Sequence, residues 1–394
     1  MLPEKNLVWG RSKNCIREIA AYGAIRKAEI GADKVFDFSL GNPSVPAPPQ
    51  VNETLIELLQ TRESTELHGY TPAAGLPSLR SAIAEDLRTR LSLPVSPDGI
   101  YVCCGAAAGL AACCRGLLLP GEEALTFAPF FPEYRVFVEG AGGVLDVLPP
   151  AEGLQPDLDA LERAVNAKTK LVLVNTPNNP SGVVLSAESL RRMGEILRAA
   201  EQRYEHTIYL VSDEPYRELV YDGPLPPNVL NFYDDAIVCY SFSKSLSLPG
   251  ERIGYLAVSD HMAQKAEVFA ALAGASRVSG YVNPPSLMQR CIERCLGLTS
   301  DLSIYKANRD LLYTGLTEAG FDCVYPEGAF YLFMKSPEPD AKAFSERARQ
   351  FELLLVPSDD FGLEGYVRLA YCVSPEMIRR AMSAFRALAA SYGL

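Results

Sequence analysis

The sequence predicts an α/β protein, with a large domain built on a mostly parallel sheet sandwiched by helices and a smaller α+β domain attached to it. Three observations predict this. Short, unbroken apolar runs recur along the chain, helix-like stretches separate them, and the texture changes after Pro284-Pro285. Continuous apolar runs mark strands buried on both faces, the pattern of parallel sheets covered by helices.

The runs at 100–104 (IYVCC), 124–128 (ALTFA), 144–148 (VLDVL), 171–175 (LVLVN), 208–212 (IYLVS), 236–240 (AIVCY) and 253–258 (IGYLAV) read as strands. Helical patterns lie near 106–119, 132–141, 157–166 and 186–203, with Asp157 and Ser186 suited to N-cap the last two. The alternation assigns 46–285 to the large domain. The proline-rich piece Pro43 to Pro49 reads as a rigid extended connector. Beyond residue 285 a long helix over about 286–318 is expected, followed by strands at 321–325 and 329–333. A helix at 340–350, a strand at 366–370 and a helix at 375–391 complete this 286–394 domain, which residues 1–45 are expected to join.

Composition narrows the function classes. The 394 residues carry Lys+Arg 37 against Asp+Glu 48, a formal net charge of −11, without basic runs. Nucleic acid is not an expected partner, since polyanions are held by clustered Lys and Arg. The start MLPEKNLVWG lacks a secretory h-region, and the apolar stretch from Gly105 to Pro120 is broken by Arg115 and is shorter than the ~20 residues of a membrane span. Ten cysteines at no zinc spacing, with only His68, His206 and His261 beside them, read as free thiols that behave as small hydrophobes. A cytoplasmic protein without a metal site or membrane contact is expected.

In open parallel sheets, ligands gather at the carboxyl ends of the strands. Four such ends carry chemistry here: Gly105-Ala106-Ala107, the segment from Asn175 to Gly182, Ser212 to Tyr216, and Ser241-Phe242-Ser243-Lys244. Arg252 precedes the last strand. An amine, a carboxylate, an amide, a phenol and hydroxyls around one crevice suit an anionic, aromatic, nitrogenous ligand that reacts with an amine.

In these residues the chain resembles the class I/II aminotransferases, pyridoxal-phosphate enzymes of fold type I. The motif Asn179-Pro180-Ser181-Gly182, the pair Asp213 and Tyr216, Ser241-x-Ser243-Lys244 with Gly250-x-Arg252-x-Gly254, and Arg368 within Tyr366–Ala370 occur in that family's order. The resemblance implies pyridoxal 5′-phosphate as cofactor, with Lys244 forming the Schiff base and later shuttling a proton. Asp213 would keep the ring nitrogen protonated, although Asp-Glu-Pro also suits a helix N-cap. Tyr216 and Asn179 would bond the ring oxygen. Gly105, Ala106, Ala107, Ser241, Ser243 and Arg252 would hold the phosphate. Phe131 would stack on the ring, and Tyr70 would reach the phosphate of a second subunit, implying a homodimer with shared sites. Arg368 would grip the substrate carboxylate under a segment containing Gly41.

Two departures stand out. Ala107 occupies the position of a lysine that binds a distal carboxylate in some aspartate aminotransferases, and Arg277 lies one position away from an arginine that does so in others. The expected activity is therefore amino-group transfer between an amino acid and a 2-oxoacid, with aspartate or aromatic donors both open. A β-eliminating carbon–sulfur lyase on the same fold is the alternative. An effector-sensing regulator would need an appended helix-turn-helix, and a nicotinamide enzyme would need a G-x-G-x-x-G that Gly105 to Gly109 does not match.

Overall fold

The computed structural model describes residue 2, residues 4–11 and residues 15–394; residues 1, 3 and 12–14 of the expected 1–45 segment lie outside it. Across the main sheet the order is Ile100–Cys103, Gly254–Val258, Ala236–Ser241, Tyr209–Asp213, Thr169–Asn175, Glu123–Phe127 and Val144–Leu148. Its strands share one direction except Gly254–Val258, which runs antiparallel to both neighbours. The connection before it carries only a four-residue helix and a short turn, too little chain for a crossover.

Alternate residues of each central strand feed two cores. Val172 and Val174 pack with Leu190, Met193 and Leu197 of the helix Ala187–Tyr204. Leu171 and Leu173 face the other way, into a core with Leu110 and Cys113 of the helix Ala106–Leu117 and Leu272 of Lys265–Ser279. Each such buried side chain contributes about 1.5–3 kcal/mol, so an apolar run is stabilised on both faces at once. Asp157 and Ser186 do cap their helices, accepting from Ala160 N and Ser189 N. Pro49 begins the helix Pro49–Thr61, where its missing N–H has no helical partner to lose.

The second sheet is antiparallel, in the order Val356–Pro357, Tyr366–Ala370, Tyr331–Lys335, Cys323–Val324. Leu312 and Leu316 of Leu302–Glu318 pack there with Ile378 and Phe385 of Pro375–Ala390. The N-terminal strand Phe36–Asp37 runs parallel to Leu353–Leu354. Two expectations are corrected. The long helix over 286–318 is two helices, Ser286–Cys295 and Leu302–Glu318, because Gly297 turns at φ 78° and Asp301 caps the second. The strands expected at 321–325 and 329–333 are Cys323–Val324 and Tyr331–Lys335; Ala329 sits at φ 57°, so extension begins only after it. Among the described residues, no helix is long and apolar enough to cross a membrane.

Candidate active site

The carboxyl ends of the central strands open into a cavity of about 290 Å³, closed on its far side by Ile16, Gly41, Tyr331 and Arg368. The strand Ile100–Cys103 ends at Gly105, whose φ of 81° excludes most side chains and where a Cβ would lie 2.9 Å from Arg252 Nη2. Gly105 offers no side-chain cap to the helix Ala106–Leu117, so its first-turn N–H groups remain available to an anion beside Ala106 and Ala107. On the neighbouring turn Ser241 accepts from Ser243 N and meets Ser243 Oγ at 2.8 Å. Arg252 lines the same end, its Nη1 donating to Pro249 O at 2.8 Å.

Lys244 sits in the short helix Phe242–Ser245 at the end of Ala236–Ser241. Its Nζ donates to Gly41 O at 2.8 Å and stands 5.3 Å from the centre of the Phe330 ring. Burial lowers its proton affinity to about 8, and the guanidiniums of Arg252 and Arg368 push the same way against Cys372. The amine is thus uncharged in an appreciable fraction near neutrality.

Asp213 is the last residue of its strand and is buried. No helix follows it, which removes the N-cap reading; residues 215–218 form a turn. Asp213 Oδ2 accepts from Tyr134 Oη at 2.7 Å, while Oδ1 is buried without a partner. Burial raises its carboxyl to about 7, the Tyr134 bond opposes this, and the charge of Glu214 adds to it. Tyr216 meets Tyr331 Oη at 3.0 Å. Asn179 is positioned by its backbone N–H, which donates to Asn175 Oδ1 at 2.7 Å, and it precedes a cis proline bond.

Arg368 projects from the small-sheet strand Tyr366–Ala370. Its Nη1 donates to Asn179 Oδ1 at 3.1 Å and Nη2 to Ser39 O at 2.6 Å, whereas Nε is buried and unpartnered. The guanidinium lies 4.6 Å from the Tyr331 ring centre and 5.3 Å from that of Phe361. Such flanking rings hold a planar cation in place without consuming its in-plane donors.

Twelve residues singled out from the sequence line this cavity: Gly41, Ala106, Ala107, Phe131, Asn179, Asp213, Tyr216, Ser241, Ser243, Lys244, Arg252 and Arg368. Gly105 stands just behind the lining. Tyr70 is fully exposed and lies outside the cavity of its own chain. Phe131 is half-buried, edge-on to Tyr134 at 5.7 Å. The sequence reading missed Tyr134 and Tyr331 as partners, and Ile16, Leu110 and Pro249 as walls; Asn175 and Pro215, which also line the cavity, lie in the strand-end segments it had singled out. Tyr134 was within reach, three residues beyond Phe131 in the same proline-bounded run; Tyr331, on a strand of the other sheet, left no signal.

The fold and this cavity describe an α/β protein in which a buried lysine amine, a buried carboxylate and two arginines share one cleft at the strand ends. The chain belongs to the aminotransferase class I and II family, whose pattern it matches over residues 33–385. It is 32% identical over 376 residues to the aspartate/prephenate aminotransferase of Thermus thermophilus, covering 92% of each chain. Among solved structures it is similar to an amino transferase from Eubacterium rectale, with 47% identity and a TM-score of 0.98 over 100% of both chains. It is also similar to the Thermus thermophilus aspartate aminotransferase with maleate, at 29% identity and a TM-score of 0.87, covering 98% of this chain and 99% of that one. The protein is a transaminase with the fold of those enzymes.

Proposed function

We propose that the protein moves the amino group of an L-amino acid to a 2-oxoacid with pyridoxal 5′-phosphate bound at Lys244. The observation that carries this reading is the set of unmatched groups around that amine. Asp213 Oδ1 and Arg368 Nε are buried and unpartnered, and the helix at Ala106 is uncapped, all bordering one cavity. This set fits a molecule with a phosphate at one end, a basic ring nitrogen at the other, and room for a carboxylate beside it.

When bound, the cofactor supplies an aldehyde that condenses with amines and a ring that takes up the electrons left by a breaking Cα–H bond. The residues of the chain do the rest. Lys244, with its lowered proton affinity, would offer an uncharged nitrogen to the cofactor aldehyde and, when free, would be the base beside the substrate Cα–H bond. Asp213, with Oδ2 held by Tyr134 and Oδ1 free, would hold the protonated ring nitrogen of the cofactor. Tyr216 and Asn179 stabilise the ring oxygen. The first turn at Ala106 and Ala107, with Ser241, Ser243 and Arg252, binds the phosphate. Arg368 would bind and orient the substrate carboxylate.

The same proposal takes residues 46–285 as the cofactor domain and 286–394 as the smaller domain, with 1–45 tied to the latter through Phe36–Asp37. A homodimer with shared sites is supported by Tyr70, which stands clear of its own cavity near the exposed Tyr281 segment, where Asn283 bonds Thr71 and Pro72. Unpaired thiols at all ten cysteines support a reducing, cytoplasmic location.

The test is a panel of L-amino acids with 2-oxoglutarate or pyruvate as acceptor. Parallel-line, two-substrate kinetics are expected. Pyruvate released from L-cystathionine without any acceptor, faster than any transfer, would replace this reading with a carbon–sulfur lyase.

A further inference from the structure

Tyr331 lines the cavity, and the mechanism gives it no task. It opens the small-sheet strand Tyr331–Lys335, one diagonal step from Arg368 on the neighbouring strand and on the same sheet face. The Arg368 guanidinium lies 4.6 Å from its ring centre. Its hydroxyl reaches the turn that follows Tyr209–Asp213 and meets Tyr216 Oη at 3.0 Å, the two buried rings standing nearly perpendicular. On another side a Cβ on Gly41 would run into the same hydroxyl, so the Gly41 backbone is packed against it. Among the described residues each of the two hydroxyls bonds only the other.

Two phenols that share one hydrogen bond place one hydrogen between them and leave the other to point elsewhere. A cation against the face of a phenol favours negative charge on its oxygen and so strengthens its O–H as a donor. Arg368 stands in that position against Tyr331. Burial lifts both phenols; at Tyr331 the guanidinium opposes it and the hydroxyl reaches about 12. Tyr216 is pushed well above its ordinary range, by burial first and then by Tyr331 itself. Tyr331 is therefore the donor of the pair. The Tyr216 oxygen, occupied on that side, turns its own hydrogen into the cavity that both residues line.

We infer that Tyr331 is a positioning residue, whose hydroxyl donates to Tyr216 and thereby aims the Tyr216 hydrogen at the cofactor ring oxygen; this rests on the function proposed above. The experiment is a pH titration of the visible absorbance of protein loaded with pyridoxal 5′-phosphate. That absorbance reads the proton on the Lys244 nitrogen once it is joined to the cofactor. A hydrogen held on the ring oxygen competes with this proton, so losing its direction raises the midpoint. The charged and titratable groups facing Tyr216 are Tyr331, Arg368 and Asp213, and those facing Lys244 are Cys372, Arg252 and Arg368. All but the substituted tyrosines are kept in every variant. Tyr331→Phe should raise the midpoint by about half to one pH unit, Tyr216→Phe by more, and the double variant no further than Tyr216→Phe alone. An unmoved midpoint in Tyr331→Phe overturns the inference. So does a double variant that adds the two shifts, since the hydroxyl would then act without Tyr216. If Tyr331→Phe does not fold, a ring-fluorinated tyrosine at 331, a more acidic phenol of nearly the same size, decides: a lowered midpoint supports the inference and an unchanged one overturns it. Transamination by the wild-type sample is measured in parallel. An unmoved midpoint beside intact transamination rejects this inference alone, whereas a wild type that forms no visible band at saturating cofactor rejects the proposed function and the inference with it.

Discussion

Replacing Asp213 by Asn in the cofactor-free protein should change how stability depends on pH. Burial lifts this carboxyl from 3.8 to about 7 in the folded chain, a rise of about three units. A carboxyl whose folded value is raised contributes fully below its unfolded value, and that contribution is lost as pH rises toward the folded value. Between about pH 4 and 7 the loss is about 1.4 kcal/mol per unit, so raising pH from 5 to 7 costs the wild type about 2–3 kcal/mol. The amide that replaces it does not titrate. Urea unfolding of dialysed protein at pH 5, 6, 7 and 8 should therefore show the Asp213→Asn variant gaining on wild type up to pH 7, with a constant gap above it. Adding pyridoxal 5′-phosphate should flatten the wild-type curve, because a ring N–H at Oδ1 favours the ionised carboxylate. A gap that stays level from pH 5 to 7, or one that closes, refutes the reasoning.

Lys244→Ala should lose the borohydride-reducible link to the cofactor and at least about 10²-fold in turnover, as peptide mapping and steady-state assays would report. In wild-type protein without cofactor, labelling of Lys244 by an amine reagent should climb as pH passes about 8, since the uncharged form reacts; a climb only near the ordinary lysine range contradicts the burial argument. Arg368→Gln removes charge-assisted donors worth about 1.5–3 kcal/mol each, so kcat/KM should fall about 10²-fold with KM rising, while cofactor absorbance persists. A fall confined to kcat would place the arginine elsewhere in the reaction. Gly41→Ala drives a Cβ into the Tyr331 hydroxyl, at the residue whose carbonyl accepts from Lys244. A lower melting temperature, equivalent to about 1–3 kcal/mol, and slower turnover are expected; an unaltered protein would mean the segment moves freely.

Much of the site was legible because its residues sit at strand ends, and strands buried on both faces announce themselves as unbroken apolar runs. The segments beginning at Asn175, Ser212 and Ser241 each carried polar groups that no plain turn needs, and Gly105-Ala106-Ala107 opened a helix without a capping side chain. The exposed Tyr70 shows the boundary of this logic, since a motif position says nothing about which cavity a side chain enters. Phe131 shows it too: the sequence located the ring, and only the coordinates put it edge-on to Tyr134. The two-helix break near Gly297 was visible as a glycine and an aspartate, but periodicity on either side masked it.

Local chemistry settled what the chain determines alone: the α/β class, the capped helices at Asp157 and Ser186, and the order of polar strand ends. Those depend on backbone preference and on burial of neighbouring residues, which act over a few positions. Tertiary structure alone decided that Arg368 meets Asn179 and Ser39, that Lys244 meets Gly41, and that Tyr134 leaves one oxygen of Asp213 free. Those partners are far apart along the chain, and the direction in which Gly254–Val258 runs depends on the length of its connection. The proton affinities of Asp213 and Lys244 follow from the same cause, because desolvation is a property of the assembled interior and of no single stretch of residues.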